Sequence, residues 1–193
     1  MPRGDLDRQC VIHRYRGDVT AELVEAHDLV VSADYGQIYI YAPAQAAVHG
    51  EPELDAADDP YLIALDDAQQ RGTFVGVHRN LIDLMTPGQW NFETPMRVEV
   101  WSAVPSSDCD SWDHEVDVDL DIPQGRLFFE ASGGGSVFDA EVPPDRYRVR
   151  VSGRGYTTLG ALGGDSYRLR LWPRSEPTDP VLRKYWPGWN DYR

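Results

Sequence analysis

Apolar and polar residues alternate at every second position in a series of short segments. The segments after residue 72 are "TFVGVHRNLIDLM", "MRVEVWSAVP", "HEVDVDLDIP", "GRLFFEA", "SVFDAEVP", "DRYRVRVSG" and "DSYRLRLWP", each bounded by Pro, Gly, Ser or Asp. A period of two is that of a β-strand with one buried face. The pattern predicts a mainly β protein built as an antiparallel sandwich or barrel, and of these we expect the β-sandwich.

The residues before this series predict two more strands and one helix. We expect a strand near residues 19–32, and "YGQIYIYAP" predicts a second one that ends at Pro43. The polar segment "AQAAVHGEPELDAADDP" then indicates a surface loop. Asp59 as N-cap, Pro60 as first helical residue and Gly72 after the last turn predict one short helix at about 60–71, packed on or beside the sheet.

A length of 193 residues suits a single domain. We place the β-sandwich domain at residues 1–180 and an aromatic C-terminal tail at residues 181–193. The tail residues Tyr185, Trp186 and Trp189 are predicted to anchor it, either on the body of the domain or on another protein.

The net charge of −14 is unevenly distributed along the chain. Residues 1–96 carry −10, residues 97–145 carry −10 and residues 146–193 carry +6. Direct binding to nucleic acid needs a dominating basic surface, which only the last quarter of the chain offers, so we expect no direct nucleic-acid partner. No apolar run approaches the length of a membrane span, and we expect a soluble protein without a membrane partner.

Two cysteines, Cys10 and Cys109, lie 99 positions apart and outside any metal-ligand spacing. We expect two free thiols, with a single disulfide as the alternative, and therefore a cytoplasmic location.

The segment "HEVDVDLDI" sets four carboxylates on one face of a strand. They are Glu115, Asp117, Asp119 and Asp121. An EF-hand that began at Asp117 would need Gly and Glu where the chain has Ile122 and Phe128, and carboxylates about 6.5–7 Å apart along a strand do not converge on one ion. Two interpretations stay open: a face neutralised by a ladder of arginines, drawn from Arg146, Arg148, Arg150, Arg168 and Arg170, or a surface that binds a partner.

Residues that would carry catalysis or bind a cofactor are not apparent. The five histidines show no metal-ligand spacing, no Gly-x-Ser-x-Gly sequence occurs, and the glycine-rich segments lack the pattern of a phosphate-binding loop. We therefore predict no catalytic residue, no metal and no cofactor, and hence no enzyme. Five aromatic residues, Tyr35, Tyr39, Trp90, Trp101 and Trp112, suit either a carbohydrate- or base-stacking platform or the core and rim of the domain, which we favour.

Three blocks in this order resemble the ComJ-like proteins, small bacterial inhibitors of a competence-associated nuclease. They are "VSADYGQIYIYA" at 31–42, "DDPYLIALDDAQQRGTFVGVHRN" at 58–80 and "SVFDAEVPPDRYRVRV" at 136–151. The resemblance implies a β-sandwich with one helix, no catalytic activity, and inhibition of a nuclease by direct binding. It transfers no site residues, and this chain is longer at both ends.

We therefore expect a non-enzymatic inhibitor or immunity-type protein whose acidic surface blocks a basic nuclease or toxin. The residues expected to bind the partner are Glu115, Asp117, Asp119, Asp121, Asp58 and Asp59. One alternative is a structural or accessory subunit of a larger bacterial or phage assembly, anchored by the aromatic tail. A second is a sandwich domain that binds a small ligand or acts as an enzyme.

Overall fold

The computed structural model describes residues 20–43 and 59–192. These residues form a mainly β structure with one α-helix, as predicted. The strands are β1 (Leu23–Asp34), β2 (Gln37–Tyr41), β3 (Val75–His78), β4 (Leu81–Met85), β5 (Trp90–Trp101), β6 (His114–Ile122), β7 (Arg126–Ala131), β8 (Phe138–Glu141), β9 (Asp145–Arg154), β10 (Ser166–Pro173) and β11 (Val181–Lys184). The helix is α1 (Pro60–Arg71), and short 3-10 helices span Cys109–Ser111 and Pro187–Asp191.

Helix α1 begins and ends where its capping residues predict. The Asp59 carboxylate accepts a hydrogen bond from the Tyr61 amide at 2.9 Å, and Gly72 adopts φ +65 after the last turn. The helix lies directly on β3, where a Cβ at Gly76 would come within 1.8 Å of the Ala64 carbonyl oxygen. Glycine at residue 76 therefore allows the close approach of helix and strand.

The strands form one open, mixed sheet. Its order is β11-β6-β9-β10-β5-β1-β2-β4-β3, with β7 beside β2 and β8 beside β7. The sequence predicts a wholly antiparallel arrangement, but strand β10 runs parallel to β5. Between β1 and β2 the pairing is confined to the turn, where Asp34 is opposite Gln37.

Two segments depart from the predicted strand boundaries. "TFVGVHRNLIDLM" forms the hairpin β3–β4 rather than one strand, and Arg79 in its turn has φ +52. The first residues of the predicted tail form β11, which pairs with β6 at the end of the sheet. A tail rich in proline and aromatic residues gave no alternating pattern from which to predict this strand.

The β1–β2 turn separates two groups of strands: β1, β5, β6, β9, β10 and β11 form one, and β2, β3, β4, β7 and β8 form the other. The main core contains apolar side chains of both groups, among them Val31, Ile38, Phe129 and Leu169. A smaller core beneath α1 contains Ala68, Phe74, Met85 and Trp189. The other face of β6, β9 and β10 carries polar side chains, and it holds the acidic residues of interest. The described part of the chain contains no helix with the length and hydrophobicity that a membrane span requires.

Candidate functional site

The acidic row of β6 lies opposite arginines of β9. In the antiparallel pairing Asp117 faces Arg150, and Asp119 faces Arg148. Arg150 Nε lies 2.6 Å from Asp117 Oδ1, and Arg148 Nη1 lies 2.8 Å from Asp119 Oδ1. The interpretation of this row as one side of an arginine ladder is therefore confirmed.

The ladder is buried over most of its length. The side chains of Glu115 and Asp117 are at most 1% exposed, whereas that of Asp119 is 17% exposed and that of Asp121 is 39% exposed. A binding partner could reach Asp121 without any rearrangement of the chain, but not Glu115 or Asp117. A role in partner binding stays a prediction for these residues.

Several arginines of the ladder differ from those expected. Arg183 of β11 pairs with Asp117 from the other side at 2.8 Å, and Arg174 pairs with both Asp119 and Asp121. Arg146 lies opposite Asp121 in register but forms no ion pair with it among the described residues. Arg174 and Arg183 lie outside the alternating segments, so the period of two could not identify them.

The segment between β5 and β6 covers the ladder. Arg168 and Arg170 both pair with Asp108, at 2.7 and 2.6 Å, and Arg170 also donates to the Ser106 carbonyl at 2.9 Å. The Trp112 ring lies 4.4 Å from the Arg168 guanidinium carbon. The charged face of β6 is therefore an enclosed network of ion pairs.

Burial and ion pairing shift the pKa values of this network in opposite directions. Burial raises the pKa of Glu115, although a 2.6 Å hydrogen bond from Ser152 and the charge of Arg150 oppose the shift. Burial also acts to raise the pKa of Asp108, but the hydrogen bond from Arg168 and the charge of Arg170 lower it. Both carboxylates thus have partners within the chain, as in a structural network, although Glu115 Oε2 and Arg170 Nε are buried without a hydrogen-bond partner.

Cys109 is disulfide-bonded, which corrects the expectation of a free thiol at this position. The other cysteine, Cys10, lies outside the described residues. Separation along the sequence does not determine distance in the folded chain, so the spacing of 99 positions was no evidence against a bridge. The cytoplasmic location was inferred from free thiols and stays a prediction without that support.

The C-terminal tail packs on its own domain. The Trp189 ring stacks on Phe74 with centroids 4.1 Å apart and an interplanar angle of 6°. The Trp186 amide donates to Nδ1 of His114, and Nε2 of that ring donates to the Thr73 carbonyl at 2.7 Å. Burial lowers the pKa of His114 to about 4, so the ring is neutral at pH 7. A role of Tyr185, Trp186 and Trp189 in anchoring the chain to an assembly stays a prediction.

The remaining predicted residues lie elsewhere. Asp59 caps α1, and Asp58 lies outside the described residues. Within residues 20–43 and 59–192, no three or more His, Cys, Asp or Glu residues are grouped so that they could hold a metal ion. A groove of about 500 Å³ is lined by residues that include Val30, Pro95, Trp112 and Arg154.

Solved structures that resemble this chain include ComJ from Bacillus subtilis, the inhibitor of the DNA degrading activity of NucA. The match has a TM-score of 0.50 and 13% identity, and it covers 81% of this chain and 100% of ComJ. A protein described as crocagin biosynthetic gene J matches with a TM-score of 0.49 and 18% identity over the same shares. The structural resemblance to ComJ that the sequence indicated is therefore confirmed, at the level of the fold.

Sequence comparisons give no such match. No family model matches the chain, and no curated protein matches its sequence.

Proposed function

We propose that this protein is a non-enzymatic inhibitor or immunity-type protein that binds a basic nuclease or toxin through its acidic surface. ComJ, whose fold the chain resembles, is an inhibitor of the DNA degrading activity of NucA. We also infer that the strands on the two sides of the β1–β2 turn face each other as a β-sandwich, because one core contains side chains of both groups.

The observation that carries the proposal is the imbalance of exposed charge. The arginines of the basic last quarter are mostly directed inward: Arg148, Arg150, Arg170 and Arg183 are at most 6% exposed. Among the described residues, nine exposed carboxylates have no salt bridge, against three exposed arginines without one. The carboxylates are Glu22, Asp66, Glu93, Asp110, Glu141, Asp145, Glu176, Asp179 and Asp191, and the arginines are Arg79, Arg146 and Arg154.

This imbalance supports a basic partner and opposes a nucleic acid. The exposed carboxylates act at long range: they speed the encounter with a basic protein and orient it. Glu141 and Asp145 are available for this role at one end of the sheet, where Asp145 borders a shallow depression together with Arg146 and with Asp121, which is paired with Arg174. Glu115 and Asp117 contribute by holding the charged network together rather than by direct contact.

The proposal is tested by capture followed by an activity measurement. The tagged full-length chain is used to purify partners from its native cell, and the captured protein is identified by mass spectrometry. We expect a basic protein whose DNA-degrading or toxic activity falls to zero as the chain reaches equimolar concentration. If no basic protein is captured, or if the captured protein keeps its activity at saturation, the proposed function is wrong.

The contribution of charge is tested with Glu141→Lys combined with Asp145→Lys. Neither carboxylate has a salt bridge among the described residues, but Glu141 lies opposite Arg126 and Asp145 Oδ1 accepts from the Arg146 amide at 2.7 Å, so urea denaturation first checks that the fold is kept. The association rate should fall and depend less on salt. Glu22→Lys combined with Asp191→Lys makes the same change of net charge at other positions, so it separates a local effect from one of total charge.

A further inference from the structure

Three backbone segments meet at the end of the sheet opposite to Asp145. The Gly36 amide donates to the Gln89 carbonyl at 3.0 Å, and the Gln89 amide donates to the Ala161 carbonyl at 3.3 Å. Asp34 faces Trp90 in the β1–β5 pairing, and Trp90 in turn pairs with Leu162. Each segment presents a large apolar side chain to solvent. These residues form the exposed aromatic cluster, and their exposures are 65% for Tyr35, 40% for Trp90, 64% for Phe92 and 74% for Leu162.

Tyr35 has a backbone conformation that its side chain does not favour. Tyr35 and Gly36 form the two-residue turn between β1 and β2 with φ of +49 and +74. Both angles positive is the pattern of a type I′ turn, whose first residue is usually Asn, Asp or Gly. The left-handed region is unfavourable for a tyrosine, and a ring that is mostly exposed offsets little of this cost by burial. The ring packs on Gly133, where a Cβ would come within 3.1 Å of Tyr35 Cε2, but it stays 65% exposed, which favours a binding role over a packing role.

Phe92 is directed outward by an irregularity in β5. The register of β5 against β1 shifts between Asn91 and Thr94, so Phe92 and Glu93 together lie opposite the single residue Ser32. Buried hydrogen bonds fix this bulge: Thr94 Oγ1 donates to the Asn91 carbonyl at 2.7 Å, and Asn91 Nδ2 donates to Asp165 Oδ1 at 2.7 Å. The exposed rings are thus held on a rigid support, which lowers the entropy lost on binding.

The cluster combines aromatic rings with carboxylates. Glu93 follows Phe92 directly and is exposed, and Asp34 precedes Tyr35. Neither has a salt bridge among the described residues, although Asp34 Oδ1 accepts a hydrogen bond from the Tyr35 amide at 2.8 Å. Aromatic faces beside carboxylates bind guanidinium and ammonium groups through cation–π contacts and charge-assisted hydrogen bonds. A second copy of the chain, with a net charge of −14, would be repelled from this surface.

We propose that the exposed aromatic cluster is the centre of the partner interface and that it binds an arginine- or lysine-rich segment of a basic protein. The inference rests on the proposed function and adds a division of roles to it. The carboxylates spread over the surface set the rate of association, while Tyr35, Trp90 and Phe92 provide the short-range contacts that determine how slowly the complex dissociates.

The site is tested first with a defined probe, a hexa-arginine peptide added to the full-length chain labelled with nitrogen-15. The six tryptophans give six indole N–H signals in an NMR spectrum, and Trp90→Phe identifies that of Trp90. We expect the Trp90 signal to shift until the peptide saturates the site. Phe92→Ala should raise the Kd of the peptide about tenfold. Leu62→Ala, which removes a side chain 47% exposed on α1, serves as control and should leave the Kd unchanged.

Three outcomes of this titration would overturn the assignment. The first is a Trp90 signal that does not move, and the second is a Phe92→Ala variant that binds the peptide like the unmodified chain. The third is a shift caused by the neutral sugar maltohexaose and not by hexa-arginine, which would make the cluster a carbohydrate platform. Hexa-glutamate should cause no shift.

The captured partner then separates this inference from the proposed function. Trp90→Ala combined with Phe92→Ala should raise its dissociation rate at least tenfold and change its association rate little. Dissociation at the unmodified rate refutes the aromatic interface while the inhibitor function stands. Failure to capture any basic protein refutes the proposed function, and the peptide titration still reports on the site.

Discussion

Arg150 of β9 forms a two-pronged salt bridge with Asp117 of β6, with both side chains enclosed. Nε and Nη2 of the arginine donate to the two carboxylate oxygens at 2.6 and 3.0 Å. The same carboxylate accepts a third hydrogen bond from Arg183 Nε at 2.8 Å. One buried carboxylate therefore links β6 to its neighbours on both sides, β9 and β11.

Removing Arg150 should destabilise the fold strongly. Arg150→Ala leaves Asp117 buried with a single cation, and breaking a buried pair in this way costs about 3–5 kcal/mol. The free energy of unfolding, measured by urea denaturation, checks this. The control is Arg126→Ala, which breaks the exposed pair with Asp139 and should cost less than about 1 kcal/mol. Equal losses would mean that the ladder is solvated in solution.

Asp83 should make the protein less stable as the pH rises. It is fully buried, its Oδ2 accepts from Gln37 Nε2 at 2.8 Å, and its Oδ1 has no hydrogen-bond partner. Burial raises the pKa of this carboxyl from 3.8 to about 7. The folded state therefore holds the proton more tightly than the unfolded state does. The contribution of Asp83 to the free energy of unfolding is complete below about pH 4 and is lost as the pH rises to about 7.

The variant Asp83→Asn keeps the shape and cannot ionise. Relative to the unmodified chain, its free energy of unfolding should increase between pH 4 and pH 7, by on the order of 4 kcal/mol. Urea denaturation at a series of pH values gives this difference directly. A difference that stays constant with pH would show that Asp83 is charged in the folded state.

His114 should have the opposite effect on stability. Its pKa is lowered from 6.5 to about 4 in the folded state, so the unfolded chain binds the proton more readily. The contribution of neutral His114 to the free energy of unfolding is complete above about pH 6.5. It is lost as the pH falls to about 4, which lowers the free energy of unfolding by on the order of 3 kcal/mol. His114→Gln should remove this loss on acidification. An NMR titration of the ring checks the cause, and a midpoint near 6.5 would contradict it.

The sequence predicts those features that depend on neighbouring residues. The ends of α1 follow from Asp59, Pro60 and Gly72, whose capping geometry is local. The pairing of Asp117 and Asp119 with arginines follows from alternation, since opposite charges at a period of two favour one register.

Features that depend on distant segments were not predictable in the same way. The ladder is enclosed because Asp108 and Arg183 reach it from a loop and from the tail, and neither segment alternates. The exposed aromatic cluster requires Tyr35, Trp90 and Leu162 to meet, and their pairing arises only in the assembled sheet. Two of its members, Tyr35 and Trp90, were noted as candidate platform residues, but nothing in the sequence distinguished them from Trp112, which is buried.

Reduction of the disulfide should destabilise the cover of the ladder. Cys109 is buried beside Asp108, and its carbonyl accepts a hydrogen bond from Lys184 Nζ at 2.9 Å. Dithiothreitol should lower the free energy of unfolding by about 2–4 kcal/mol. The Cys109→Ala variant should show a similar loss and no response to the reductant. A reductant effect that persists in this variant would have to arise elsewhere.

Substitutions of Trp189 distinguish a tail that is part of the domain from a tail that binds another protein. The Trp189 ring is 2% exposed and stacks on Phe74, so Trp189→Ala should lower the free energy of unfolding by about 3–5 kcal/mol. Trp189→Phe should cost less, because the indole Nε1 has no hydrogen-bond partner in its buried position and phenylalanine keeps the stacking. Val137→Ala is the control, at a side chain that is 47% exposed and away from the tail.

Urea denaturation and capture of the partner together separate the two roles of the tail. If the tail is part of the domain, Trp189→Ala lowers the free energy of unfolding more than Trp189→Phe does. The Trp189→Phe variant then still captures the partner of the unmodified chain. The opposite outcome is that the Trp189→Ala variant unfolds at the same urea concentration as the unmodified chain and yet captures no partner. In that case the Trp189 ring must leave its site beside Phe74 to bind the partner. That result would favour an assembly subunit anchored by its tail over an inhibitor, because the Trp189 ring would then contribute to binding a second protein and not to the stability of its own domain.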